Sequence, residues 1–108
     1  MGMQTLESRD DVYHAIAAPA RRAILDELRQ GERSVGELVS SFEMTQPAIS
    51  QHLKVLREAG LVIPRSIGRQ RRYRLNAERL HEVYDWVGHY ERFWRFKLDA
   101  LGTYLEEH

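Results

Sequence analysis

Between Thr45 and Arg74 the chain gathers seven basic side chains, Lys54, Arg57, Arg65, Arg69, Arg71, Arg72 and Arg74, against one acid, Glu58. That window carries +6, and since the chain's 16 basic and 16 acidic residues cancel, the remainder carries −6. A neutral protein that concentrates its cations in one segment directs a field at a polyanion. Thr45, Gln46, Pro47, Ser50, Gln51, Lys54 and Arg57 precede the arginine run. Several of them match nucleic-acid edges, glutamine suiting adenine and lysine suiting guanine or the backbone. The arginines Arg65, Arg69, Arg71, Arg72 and Arg74 suit phosphates, with room for one minor-groove insertion. This is recognition chemistry. Serine, histidine and aspartate occur, but no glycine-framed nucleophile, phosphate loop or carboxylate pair stands in a recognisable context, so no enzyme is expected.

Those side chains act together only if local structure aims them. Thr45 is suited to cap a helix that tolerates Pro47 in its first turn and stops at Gly60. At 100° per residue Ile49, Leu53 and Leu56 lie inward, while Pro47, Ser50, Gln51, Lys54 and Glu58 lie outward. Ser34-Val-Gly-Glu37 is a capping-box pattern that opens a short helix to about Phe42, and the two together predict a helix-turn-helix. Beyond Gly60, Leu61 to Ile67 and Gln70 to Leu75 flank Gly68-Arg69, a glycine-first pair of the kind type II′ hairpins prefer. Alternation sets Tyr73 and Leu75 on one face of the second arm and Arg72 and Arg74 on the other. Pro64, lacking an amide proton, is expected to point its nitrogen away from a partner strand. Upstream, Ser8 is a candidate cap for a first helix over 8–17, and Pro19 opens a second that Gly31 ends. Residues 1–7 are expected to fray.

Asn76 is read as the cap of one long last helix, 77–105, about 45 Å at 1.5 Å per residue. Val87, Tyr90, Trp94, Leu98 and Leu101 follow its apolar stripe, and Trp86, Phe93 and Phe96 broaden it beyond what one small domain covers. Surplus apolar area of this kind marks a partner surface, so a homodimer is expected. Gly88 and Gly102 each weaken the helix by about 1 kcal/mol relative to alanine, leaving room for a kink near Gly88. His81, Asp85 and His89 align at i, i+4 and i+8. Two helical turns span about 12 Å, however, so one ion could not reach both ends without a second chain. Trp86, Phe93 and Trp94 read as packing in preference to a ligand cavity.

The 108 residues fit one domain, 1–108, able to bury roughly two thirds of its unfolded surface. The absence of cysteine removes disulfides and thiolate metal ligands together, and neither metal nor cofactor is expected. No apolar run approaches the length of a membrane span, and Met1 to Glu7 lacks a basic leader region, so a cytoplasmic location is expected.

In this order the chain resembles the ArsR-type winged-helix transcriptional repressors over nearly its whole length. The resemblance is carried by Pro19-Ala-Arg-Arg-Ala-Ile-Leu25, Val35-Gly-Glu-Leu38, Gln46 through Val62, and Gly68-Arg-Gln-Arg-Arg-Tyr-Arg-Leu75. It implies a mainly α fold with a small β-hairpin: a three-helix core, a two-stranded wing and a long C-terminal dimerisation helix. It also implies a dimer joined by the first and last helices, adding Val12 and Ile16 to the interface, and double-stranded DNA as the partner. Two recognition helices would then enter successive major grooves about 34 Å apart on a pseudo-palindromic operator. There are two departures from the family pattern. Ala18 stands where a capping side chain commonly precedes the proline, and Leu38-Val-Ser-Ser41 replaces the paired cysteines of metal-responsive members. The likeness is therefore to the cysteine-free branch. Two readings stay open: a sensor-repressor released by a small molecule or protein at the long-helix face, and a winged helix that binds protein or RNA.

Overall fold

The computed structural model describes residues 11–107, and three of its helices begin where short polar side chains satisfy free first-turn amides. α1 (Val12–Ile16) is capped by Asp11, whose Oδ1 accepts from Tyr13 N at 2.8 Å. The Ser8 cap and the fraying of 1–7 lie outside the described residues. α2 (Pro19–Leu28) starts behind Ala18, which makes no side-chain cap. Its own arginines reach back instead. Arg21 Nε donates to Ala15 O at 2.7 Å, Arg21 Nη2 to His14 O at 3.1 Å, and Arg22 Nη1 to Ile16 O at 2.8 Å. His14 O also accepts from Ala17 N at 3.2 Å, and with these bonds at the end of α1 the two arginines fasten α1 to α2.

The capping box closes as its spacing implies. Ser34 Oγ accepts from Glu37 N at 3.1 Å, Glu37 Oε1 accepts from Ser34 N at 2.8 Å, and α3 (Val35–Ser41) follows. Thr45 Oγ1 accepts from Ala48 N at 3.3 Å and opens α4 (Gln46–Glu58), which Gly60 ends in the left-handed region at φ +79°. β2 (Val62–Ile67) and β3 (Gln70–Leu75) pair antiparallel about Gly68. Gly68 has φ 61° and Arg69 a negative φ, the pattern of a type II′ turn.

Three features differ from the sequence reading. First, the wing is not simply two-stranded. β1 (Arg33–Ser34) pairs with β3, giving the order β1-β3-β2. A strand of two residues is too short to show an alternation. Pro64 falls in the edge strand β2, where a missing donor is tolerated. Second, Asn76 caps nothing with its side chain; its Nδ2 donates to Gly60 O at 2.9 Å, tying the hairpin's exit to its entrance. Third, the single helix over 77–105 is broken into a 3-10 turn (Ala77–Leu80), α5 (His81–Gly88) and α6 (Glu91–Glu107). At the break His89 N bonds Trp86 O at 3.1 Å and Tyr90 N bonds Val87 O at 3.0 Å, three residues back instead of four. Gly88 supplies the weak point. Edge-on rings, Tyr13 on Trp86 at 5.8 Å and Trp86 on Tyr90 at 5.6 Å, hold the junction against α1.

The core joins all four leading helices to the hairpin base through Val12, Ile24, Leu38, Ile49, Leu53, Leu56, Leu61 and Val62, each at most 2% exposed. Val12 was expected at the dimer interface. It is instead wholly buried within the protomer and has no surface to offer a partner. α6 is the opposite case, since from Glu91 to Glu106 every side chain is exposed. The radius of gyration is 18.0 Å, against about 13 Å for a compact chain of roughly 100 residues. α6 is therefore an arm. Among the described residues no helix is long and apolar enough to cross a membrane.

His52, on α4, is half-buried with Nδ1 3.4 Å from Arg21 Nη1. Burial, and then the charge of Arg21, pull its pKa below the ordinary 6.5. In the window between the unfolded and the depressed folded value, the unfolded chain binds more protons. His52 therefore favours folding fully above 6.5 and progressively less as pH falls toward the folded value. The thermal midpoint should drop more steeply from pH 7.5 to 5.5 in the wild type than in His52→Gln. Parallel profiles would remove His52 as the cause.

Candidate nucleic-acid interface

α4 is split lengthwise by its own periodicity. Ile49, Leu53 and Leu56 are buried, whereas Thr45, Gln46, Pro47, Ser50, Gln51, Lys54 and Arg57 are all exposed. α3 packs against α4 and fixes that orientation. A cleft of about 300 Å³ is lined by Ser34, Val35, Gly36, Gln46, Arg69, Gln70 and Arg71. It brings Gln46, in the first turn of α4, to one concavity with Arg69 and Arg71 at the tip of the wing.

Strand pairing sorts the five wing arginines. Arg65 stands directly opposite Arg72, and Ile63 opposite Arg74, on one face of the hairpin; Arg71, Tyr73 and Leu75 take the other. Arg71 lies over the Tyr73 ring at 5.7 Å and is an exposed residue. Arg69 and Arg74 are exposed and have no acidic partner among the described residues. Arg65 and Arg72 are held instead. Arg65 grips Glu32 with two parallel bonds, Nε to Oε1 at 3.1 Å and Nη2 to Oε2 at 2.8 Å. Arg72 Nε donates to the same Oε2 at 3.1 Å, and its Nη1 lies 3.3 Å from Glu37 Oε1. The hydrogen bond from Arg65, then that from Arg72, hold the Glu32 carboxyl below the ordinary carboxylate value, with burial opposing them. Glu37 is lowered in the same direction, first by the Ser34 amide.

Arg72 and Arg74 do share a strand face as expected, but only Arg74 is without an acidic partner there. The residue that reasoning from sequence did not find is Glu32. It lies 33 positions from Arg65 and 40 from Arg72, far beyond any local spacing rule.

The last-helix positions sort similarly. Tyr90, Trp94, Leu98 and Leu101 are 45–65% exposed, while Ile16 and Val87 are half-buried. His81 Nδ1 pairs with Asp85 Oδ2 at 3.1 Å, and His89 sits beyond α5 at the helix break. Among the described residues no group of three His, Asp or Glu side chains is placed to hold an ion.

Comparison with known proteins agrees with this geometry. Residues 18–63 match the family described as bacterial regulatory protein, arsR family. The chain is 40% identical over 104 residues to the HTH-type transcriptional regulator Rv2034 of Mycobacterium tuberculosis, covering 96% of this chain and 94% of that one. It is 42% identical over 87 residues to the HTH-type transcriptional repressor SmtB of the same organism, covering 80% of this chain. It spans 64% of that repressor's length. An ArsR-like transcriptional regulator from Rhodococcus sp. RHA1 superposes over the whole chain and 99% of its own, with TM-score 0.73 at 27% identity.

Proposed function

Because this chain belongs to the arsR family of bacterial regulatory proteins, we propose that it is a homodimeric, sequence-specific DNA-binding repressor of the cytoplasm, without catalytic activity. Each protomer lays α4 in a major groove. Gln46, Ser50 and Gln51 face base edges, and Thr45, Pro47, Lys54 and Arg57 line the approach to the backbone. Arg69, Arg71 and Arg74 meet flanking phosphates. The exposed apolar faces of α5 and α6, with Ile16 beside them, join two copies so that the recognition helices sit about 34 Å apart on a pseudo-palindromic operator. Repression then follows from occupancy. An effector, small molecule or protein, would act by changing the spacing of the two heads.

The observation that carries this reading is the concavity shared by Gln46 of α4 with Arg69 and Arg71 of the wing, neither arginine having an acidic partner among the described residues. Selection of bound fragments from a random duplex pool tests it, and enrichment of a two-fold related motif is the expected result. Protein that enriches no DNA would favour a winged helix serving a protein or RNA partner. Within an enriched motif, Gln51→Ala should relax one base position, worth about 1–3 kcal/mol for a bidentate contact. Equal weakening on every sequence would remove Gln51 from base reading.

A further inference from the structure

Glu32 lies in the turn between α2 and β1, outside the elements that read DNA, and the wing closes on it. The pairing register sets Arg65 against Arg72, two like charges directly opposite on neighbouring strands, an arrangement that repels when nothing intervenes. Glu32 intervenes. Its carboxylate takes both Arg65 bonds and the Arg72 Nε, with the side chain only 21% exposed. Its backbone oxygen also accepts from Arg72 Nη2 at 3.3 Å. Arg72 continues to Glu37, which caps α3. The hairpin is thus pinned through Glu32 to the turn before β1 and through Glu37 to the first helix of the helix-turn-helix.

We propose that Glu32 is a specificity-determining residue: it withholds Arg65 and Arg72 from phosphates and fixes the wing relative to α4, which keeps binding to arbitrary DNA weak. This rests on the DNA-binding reading above. A cation free to follow any phosphate adds affinity on every sequence and releases a counterion, whereas one locked to a carboxylate adds neither. With the hairpin fixed, its remaining arginines meet the backbone well only where α4 is seated. Without the Glu32 carboxylate Arg65 is free to swing outward while Arg72 stays with Glu37 and Gln70, and unseated complexes gain more than seated ones.

Glu32→Gln keeps the shape and removes the charge. Anisotropy titrations on random and selected duplexes across a salt series should show tighter random-sequence binding and a salt slope steeper by about 0.9 per bound protomer, from the one arginine freed. That corresponds to a further affinity loss of roughly three- to four-fold per protomer between about 50 and 200 mM salt, and discrimination should fall by a similar factor. In an Arg65→Met/Arg72→Met background the same substitution should change neither slope nor discrimination. A slope change that persists there would overturn the proposal, as would an unchanged slope in the single variant. Arg65→Met alone gives an independent reading: its slope should match the wild type, and a loss of about 0.9 would mean Arg65 contacts phosphate after all. Wild-type protein that binds no duplex would sink the DNA reading as well. Wild-type binding with an indifferent Glu32 variant would sink this inference alone.

Discussion

Changing Arg69, Arg71 and Arg74 together to alanine should reduce the salt slope of DNA binding by about 2.7 per bound protomer, from roughly 0.9 for each lost phosphate contact. The weakening should be nearly the same on selected and random duplexes, because phosphates are alike at every sequence. These three are the wing arginines that are exposed and without an acidic partner among the described residues. Fluorescence anisotropy from about 50 to 200 mM salt would show the flattening as a roughly 40-fold smaller loss of affinity per protomer. Arg71 also packs on Tyr73, so the variant's thermal midpoint should be checked alongside. A slope equal to the wild type's would exclude the wing from the phosphate contacts.

The second large effect concerns the arm. Trp94 is 59% exposed on α6, among Phe93 at 64%, Leu98 at 65% and Leu101 at 53%. A helix with this much apolar surface has no hydrophobic reason to stand clear of its own core unless another chain covers it. Trp94→Glu places a charge where a partner helix would have to desolvate it, a cost that ordinary packing does not recover. Sedimentation should then report a monomer. The selected duplex should bind more weakly by on the order of 10²–10⁴, because the second half-site is no longer presented at high effective concentration. Far-ultraviolet circular dichroism should show the helix-turn-helix intact, since among the described residues no α6 side chain belongs to the core. A dimer that survives the substitution would place the interface elsewhere.

Much of the site was legible because its signals are local. A serine three residues before a glutamate, a threonine ahead of a proline-led helix and a glycine at a hairpin corner each act across a few bonds. The structure shows Ser34 with Glu37, Thr45 with Ala48, and Gly68 in those geometries. Helical periodicity likewise separated Ile49, Leu53 and Leu56 from the polar face of α4. Where the reading changed, the deciding contact came from elsewhere in the chain. The last helix breaks where Trp86, stacked edge-on with Tyr90, meets Tyr13. Asn76 looks like a cap in sequence, but its amide is taken by Gly60. Val12 has interface periodicity and core depth at once, and depth is settled by what packs over it.

The order of residues by itself determined the helix-turn-helix, the hairpin and the gathering of cations beside them, because capping, turn preference and charge composition depend on neighbours along the chain. Which of those cations are available to a polyanion was decided only by tertiary structure. The register that opposes Arg65 to Arg72, and the turn that delivers Glu32 between them, join residues 33 and 40 positions apart. An ion pair forms between whichever charges the packed backbone brings within reach, and separation in sequence carries no record of that distance.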